Sequence, residues 1–235
     1  MTASFARHRV FLVRHGQSQA NAGGMTLANP VVPLTELGER QARALAPLLP
    51  QRAAGIWSSP FKRALDTAAP YCALLGLTPA IHADLREFET VDTLTLGGGP
   101  CAEREAAVAR FWLESDPDHR SGPHAETFRE FHTRVARVRE QFLPALPDGA
   151  VVFGHGMWMA LLCWQLLGFE QVDCLGMTHF RRFQLGLPTP NTVVYGLTHV
   201  VPGSWEVKVE EAAMRAIATI DEDDNRAQSA RRRHG

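Results

Sequence analysis

Two short apolar runs end in the same way, and together they constrain the fold more than any other feature of the chain. Val10-Phe11-Leu12-Val13 leads into Arg14-His15-Gly16, and Val151-Val152-Phe153 leads into Gly154-His155-Gly156. A short continuous apolar run reads as a strand buried on both faces, as in a parallel sheet covered by helices. Each histidine then stands just past the C-terminal end of its strand. In open α/β sheets that edge is where ligands bind. Two imidazoles and a guanidinium at two strand tips can face one pocket.

The elements around these runs alternate. A strand over 9–13 is followed by a Gly-, Asn- and Pro-rich loop to residue 33. Thr35 caps a helix whose apolar stripe runs through Leu37, Ala44, Leu45 and Leu48 and which Pro50 ends. A short strand over 55–59 meets Pro60 and a helix over 61–75, closed by Gly76. A third strand follows over 79–83. Helices are expected over 102–113, 126–143 and from Met157, with later strands at 150–153, 192–197 and 205–209. This alternation predicts an α/β three-layer sandwich, with a mostly parallel central sheet flanked by helices. Residues 1–220 are expected to form one domain, with a small cap inserted at about 88–123. Residues 221–235, an acidic run and then Arg231-Arg232-Arg233, read as a disordered, solvated tail.

A chain of 235 residues, 45% of them hydrophobic, is enough for one well-packed core. Lys and Arg number 24 against 25 Asp and Glu, a formal net charge of −1. No global field therefore favours nucleic acid or an anionic membrane, and any anion site must be local. Cys72, Cys101, Cys163 and Cys174 have no CxxC pairing and no zinc spacing, which points to reduced thiols in a reducing, cytoplasmic compartment. Residues 1–9 hold no apolar stretch of the kind found in a secretory leader. The most apolar helical stretch, 157–169, is too short to span a bilayer and reads as a core helix.

Five landmarks then occur in order. Arg14-His15-Gly16 is followed by Ser18 and Asn21. Leu34-Thr35 runs through Gly38 to Gln41-Ala42. Ser58-Ser59-Pro60-Phe61-Lys62-Arg63-Ala64 forms a strand-to-helix turn. Leu85-Arg86-Glu87 comes next, and Phe153-Gly154-His155-Gly156 comes last. The set resembles the histidine phosphatase superfamily, the clan that includes cofactor-dependent phosphoglycerate mutases, over about residues 10–197. The resemblance implies His15 as the phosphoryl-accepting nucleophile and Glu87 as the general acid. It implies phosphate binding by Arg14, Arg63 and Asn21, with His155 as a further donor. No cofactor and no metal is implied.

The chemistry suits these residue types. An imidazole can take a phosphoryl group covalently and split one hard step into two. Guanidinium forks match phosphoryl oxygens. Glu89 lies two residues on and offers the same chemistry; Glu87 is preferred because it directly follows Leu85-Arg86. Glu89 or Asp84 is expected as the carboxylate next to Glu87.

Other motifs are set aside on physical grounds. Ser18 lacks the Gly-x-Ser-x-Gly elbow of a serine nucleophile. A zinc ion on His15 and His155 would be repelled by Arg14 and would lack further ligands. Gly97-Gly98-Gly99 lacks the Lys-Ser/Thr of a phosphate loop and reads as a flexible loop or lid hinge. His119, His132 and His179 read as surface or packing residues, and His124 either as one of these or as a residue near the pocket through the cap.

After the acid the chain runs Phe88-Glu89-Thr90-Val91-Asp92-Thr93, without the Trp-Glu-Gly common in the family. The Tyr-Gly segment and longer insertion of the mutase branch are also missing, which favours a phosphatase. The cap offers Phe88, Trp112, Phe128 and Trp158 as apolar walls, and Arg86 and Arg104 as charge partners. The expectation is a metal-independent phosphomonoesterase acting on a small-molecule phosphate ester. A phosphotransferase or mutase of the same family, or a non-catalytic module that binds phosphorylated ligands, is the alternative.

Overall fold

A computed structural model describes residues 8–233 apart from 24, 188 and 202; the side chains of 223 and 225–233 lie outside the description as well. Residues 1–7 of the stretch read for a leader, and the side chains of Arg231-Arg232-Arg233, thus fall outside the described residues. The chain folds as β1 (His8–Arg14), α1 (Glu36–Leu45), β2 (Ile56–Ser58), α2 (Lys62–Leu75) and β3 (Ala80–Ile81). There follow α3 (Cys101–Glu114), α4 (Phe128–Arg137), β4 (Ala150–Gly154), α5 (Gly156–Leu166) and α6 (Cys174–Gly186). The chain continues with β5 (Val194–Val201), β6 (Ser204–Val209) and α7 (Glu211–Arg233).

The six strands form one sheet in the order β3-β2-β4-β1-β5-β6. The pairs β3–β2, β2–β4 and β4–β1 are parallel, while β5 and β6 complete the other edge antiparallel. Both apolar runs lie in the middle, and alternate residues feed two cores. Val10, Leu12, Ala150 and Val152 pack with side chains of α3, α4, α5 and α6. Val13, Val151 and Phe153 pack with Leu45, Ala68, Tyr71, Ala213 and Ile217, from α1, α2 and α7. Burial on both faces explains why these strands are uninterrupted by polar residues. Full burial of each Val, Leu or Phe contributes about 1.5–3 kcal/mol.

The local signals of the helix ends hold. Thr35 Oγ1 accepts from Gly38 N at 3.1 Å, and Gly76 closes α2 at φ 65°. Other expectations need correction. The buried stripe of α1 is Gly38, Gln41, Ala42 and Leu45, and Leu48 is exposed. The helix is turned so that Gly38 meets the loop at Gln17, whose carbonyl oxygen a Cβ on residue 38 would overlap. The helix expected over 126–143 ends at Arg137 and widens into a π-helical turn, Val138–Phe142, before Pro144. Helix α6 was not read from the sequence; Asp173 caps it by accepting from Gly176 N at 2.8 Å.

The segment from residue 221, expected as a disordered tail, continues α7 as helix to Arg233. Asp221 accepts from Gln41 Nε2 at 2.7 Å and Asp224 pairs with Arg40, so the acidic run has partners on α1. Among the described residues no helix is long and apolar enough to cross a membrane.

Residues 88–123 carry α3 and rest on an aromatic cluster. Phe88 stacks on Phe131 with ring centroids 4.3 Å apart, and Phe111 and Trp112 close around it. Gly97-Gly98-Gly99 is tied down: Thr26 N donates to Gly99 O at 3.0 Å and Gly98 N to Thr26 O at 2.9 Å.

Candidate active site

The register of the two central strands brings the histidines together. Arg14 lies opposite Gly154 on adjacent parallel strands, and His15 N donates to Gly154 O at 3.1 Å. The two imidazoles therefore emerge side by side, with centroids 5.2 Å apart and planes at 61°. His15 Nδ1 lies 2.7 Å from Gly16 O. A carbonyl oxygen only accepts, so Nδ1 carries the proton and Nε2 the lone pair. Arg63 Nε donates to that Nε2 at 3.2 Å. Burial, then Arg63 and Arg14, hold the His15 pKa well below the usual 6.5. His155 is lowered likewise by burial, Arg63 and His15. Its Nε2 lies 2.8 Å from Ser59 Oγ, and its Nδ1 is buried without a hydrogen-bond partner.

Arg63 stands on the first turn of α2. Its Nη1 donates to Asn29 O at 2.8 Å, and burial pulls its pKa down to about 10. Arg14, at the end of β1, donates to Thr189 O, and burial lowers its pKa too. Gly156 makes room for it: a Cβ there would stand 3.0 Å from Arg14 Nε. Among the described residues neither guanidinium forms a salt bridge. The carbonyls fix their positions, and Glu87 acts on both through space without a salt bridge.

Glu87 is held in an unexpected way. Its carboxyl oxygens accept from Met157 N at 3.1 Å, Trp158 N at 2.9 Å and Phe88 N at 3.0 Å. The first two are orphan donors at the N-terminus of α5. Glu87 is thus placed by the helix that follows His155, and its neighbours are N–H groups rather than Asp84 or Glu89. Asp84 instead pairs with Arg137 at 3.1 Å. The segment carrying Glu87 is clamped from below. Arg134 Nη1 donates to Asp84 O at 2.8 Å and Arg86 O at 2.9 Å, while its Nε and Nη2 make a two-pronged pair with Glu126.

Asn21 lies at the mouth, with its side-chain oxygen accepting from Ser18 Oγ at 3.0 Å and Asn191 Nδ2 at 3.2 Å. Sequence reasoning missed the 189–192 turn. Besides Thr189, it supplies Asn191 Nδ2 and Thr192 N, which both donate to His15 O at 3.2 Å. Its signal was the Pro190-Asn191 pair just before a strand.

Arg14, His15, Asn21, Arg63 and Glu87 line one cavity of about 210 Å³, with His155 behind His15. Phe88 is one wall, as expected, and Arg104 joins from the cap. Trp112, Phe128 and Trp158 are core residues instead. Arg86 and Glu89 turn to a separate groove of about 490 Å³, together with His124. Among the described residues no three His, Cys, Asp or Glu side chains gather as a metal site. The arrangement offers an unprotonated imidazole nitrogen, two fixed guanidiniums and one carboxyl group around a small space. These are the parts needed to move a phosphoryl group.

The sequence profile of the histidine phosphatase superfamily (branch 1) matches residues 10–198. A glucosyl-3-phosphoglycerate phosphatase of Mycolicibacterium vanbaalenii is 31% identical over 170 residues, 68% of this chain and 74% of that protein. A protein of Cronobacter sakazakii named "Probable phosphoglycerate mutase GpmB" is 31% identical over 174 residues, 68% of this chain and 75% of that one. A longer bifunctional protein of Mycobacterium tuberculosis is 32% identical over 146 residues, and the match spans 39% of its length. Among solved structures, a mycobacterial glucosyl-3-phosphoglycerate phosphatase superposes with a TM-score of 0.62 at 25% identity, covering 87% of this chain and 98% of that one.

Proposed function

Since the chain belongs to the histidine phosphatase superfamily, we propose that it is a metal-independent phosphomonoesterase that hydrolyses a small phosphorylated substrate through a phosphohistidine on His15. The observation that carries this reading is the His15–Gly16 hydrogen bond, which leaves Nε2 with its lone pair next to two guanidiniums. A depressed pKa keeps that nitrogen unprotonated at neutral pH.

In the first step His15 Nε2 forms a bond to phosphorus as the bond to the alcohol oxygen breaks. Arg63 Nε gives up its contact with Nε2 and turns to a phosphoryl oxygen. Arg14, the Asn21 amide nitrogen and His155 Nδ1 hold the remaining oxygens, where charge collects in the transition state. Glu87 gives its proton to the leaving alkoxide. In the second step a water attacks the phosphohistidine, Glu87 takes the water's proton, and inorganic phosphate leaves with His15 neutral again. The relatives named above include a mutase, so transfer to an acceptor other than water is the competing outcome. The unpaired cysteines, with Cys72 and Cys163 buried, fit a reducing compartment, and we place the enzyme in the cytoplasm.

The test is turnover of an aryl phosphate in EDTA by the wild type and by His15→Ala, with alkaline quenching to trap labelled protein. The expected result is turnover and an acid-labile phosphoenzyme in the wild type and neither in the variant. Turnover by a folded His15→Ala protein would sink the mechanism. Turnover that rises steeply with added alcohol would mark a transferase.

A further inference from the structure

We propose that Ser59, in the turn between β2 and α2, is a positioning residue for phosphoryl transfer: its hydroxyl donates to His155 Nε2 and thereby keeps the ring proton of His155 on Nδ1. This rests on the phosphomonoesterase reading above, in which Nδ1 holds a phosphoryl oxygen, and it states what makes that nitrogen a donor.

Ser59 and His155 are both fully buried, and the partners of Ser59 fix the direction of the bond between them. Ser59 N donates to Phe153 O at 2.9 Å, so β4, the strand that leads into His155, sets the position of Ser59. Ser58 Oγ donates to Ser59 O at 3.0 Å. Phe61 N, just beyond Pro60, donates to Ser59 Oγ at 3.3 Å. One lone pair of the hydroxyl is therefore taken, and its proton still needs an acceptor. Among the described residues the hydrogen-bond acceptor for that proton is His155 Nε2, at 2.8 Å. Buried polar groups are paired in folded proteins, so the proton goes there. The reverse bond, from an Nε2–H to Ser59, would strand the hydroxyl proton in the core. It would also leave Nδ1 with a lone pair where a phosphoryl oxygen binds.

A neutral imidazole carries one ring proton, so an accepting Nε2 means a protonated Nδ1. His155 is neutral because burial and then the charge of Arg63 lower its pKa well below 6.5. Its Nδ1 is buried and has no partner, and its ring stands 5.2 Å from that of His15. A buried N–H without an acceptor, next to the nucleophile, is a vacancy that a ligand oxygen fills. The two histidines then carry the same tautomer and use it in opposite senses. His15 gives its Nδ1 proton to the Gly16 carbonyl and keeps a lone pair for phosphorus. His155 has its Nε2 lone pair taken by a hydroxyl and keeps an N–H for oxygen. An acceptor makes one ring a nucleophile, and a donor makes the other a clamp. Ser59 does not line the cavity, so its effect on the reaction passes through His155.

The test reads the tautomer directly, by nitrogen NMR of enzyme isotope-labelled at histidine, at neutral pH, with His155→Ala identifying the His155 signals. The wild type is expected to show a protonated Nδ1 and a bare Nε2 at His155. Ser59→Ala is expected to shift His155 toward the Nε2–H form and to lower kcat/KM on an aryl phosphate by about 3- to 10-fold, the worth of one neutral hydrogen bond. Ser59→Cys, which has a weaker donor of similar size, is expected to lie between the two in both readouts. A protonated Nε2 at His155 in the wild type overturns the role of Ser59, and it needs no variant, so it decides even where Ser59→Ala fails to fold. A folded Ser59→Ala protein that keeps the Nδ1–H form overturns it too, whatever its turnover. Neither result touches the phosphoenzyme on His15. The expected spectrum in a wild type that forms no phosphoenzyme overturns the mechanism above and leaves the Ser59–His155 bond as a purely structural one.

Discussion

Two arginine-rich depressions lie side by side, and they use the same residue in opposite ways. The groove around Arg134 is the larger, about 490 Å³ against about 210 Å³ for the cavity at His15. In the groove the guanidiniums meet carboxylates: Arg134 with buried Glu126 at 2.6 Å, Arg137 with Asp84 at 3.1 Å and Arg129 with Asp118 at 2.6 Å. In the cavity Arg14, Arg63 and Arg104 meet backbone carbonyls instead. A carboxylate fixes an arginine and cancels its charge. A carbonyl fixes it and leaves most of the charge for a ligand. Size does not separate the two; in the groove each of these arginines has a carboxylate in salt-bridge contact, while in the cavity Glu87 acts on Arg14 and Arg63 through space, from beyond salt-bridge distance.

The sharpest break in that comparison comes from Arg134→Ala. It strips the buried Glu126 of its two-pronged partner, leaving only Arg86 at 3.2 Å, and removes the donor to the Asp84 and Arg86 carbonyls, and is expected to destabilise the fold by about 3–5 kcal/mol in urea melts. A loss under about 1 kcal/mol would mean that the pair is not a structural element. Next comes Arg63→Ala, expected to lower kcat/KM by roughly 100- to 1000-fold, with little loss of stability because no carboxylate is abandoned. An equal fall in melting temperature in both variants would erase the distinction.

The buried histidines of the cavity set a smaller, pH-dependent effect. Their native pKa values lie well below the usual 6.5. As pH falls below about 6.5 the unfolded chain takes up protons that the native state refuses, so stability drops by up to about 1.4 kcal/mol per pH unit for each histidine. Above that pH the contribution is constant. Urea melts between pH 7.5 and 5.5 are expected to show this slope, and His15→Asn to reduce it. The smallest effect is that of Arg129→Ala at the groove's exposed rim, where stability and kcat/KM are expected to match the wild type within error.

What the sequence revealed and what it hid follow from distance along the chain. The strand tips were legible because burial on both faces leaves an uninterrupted apolar run, and Thr35 and Gly76 because caps act within a few residues. The anchoring of Glu87 was not, because its partners Met157 and Trp158 lie 70 and 71 positions away. The same holds for Asn191, which reaches back to His15 across 176 positions. Arg86 and Arg104 looked equivalent in the sequence. Only the fold turns one toward Glu126 and the other into the cavity. Helix α6 escaped notice because Met177 and Phe180 are its only buried apolar side chains and two glycines lie within it, so its pattern carries little helical periodicity.

The parallel pairing of β1 with β4 also sets a timetable. Val10 is bonded in register with Ala150, so on the ribosome the first strand waits for most of the chain before its partner emerges. Until then a two-sided apolar strand is exposed, and long-range parallel pairing is slow to form. The His15–His155 pair comes into being only when that gap closes. Recovery of turnover after dilution from denaturant would therefore clock one late folding event, the seating of β4 against β1.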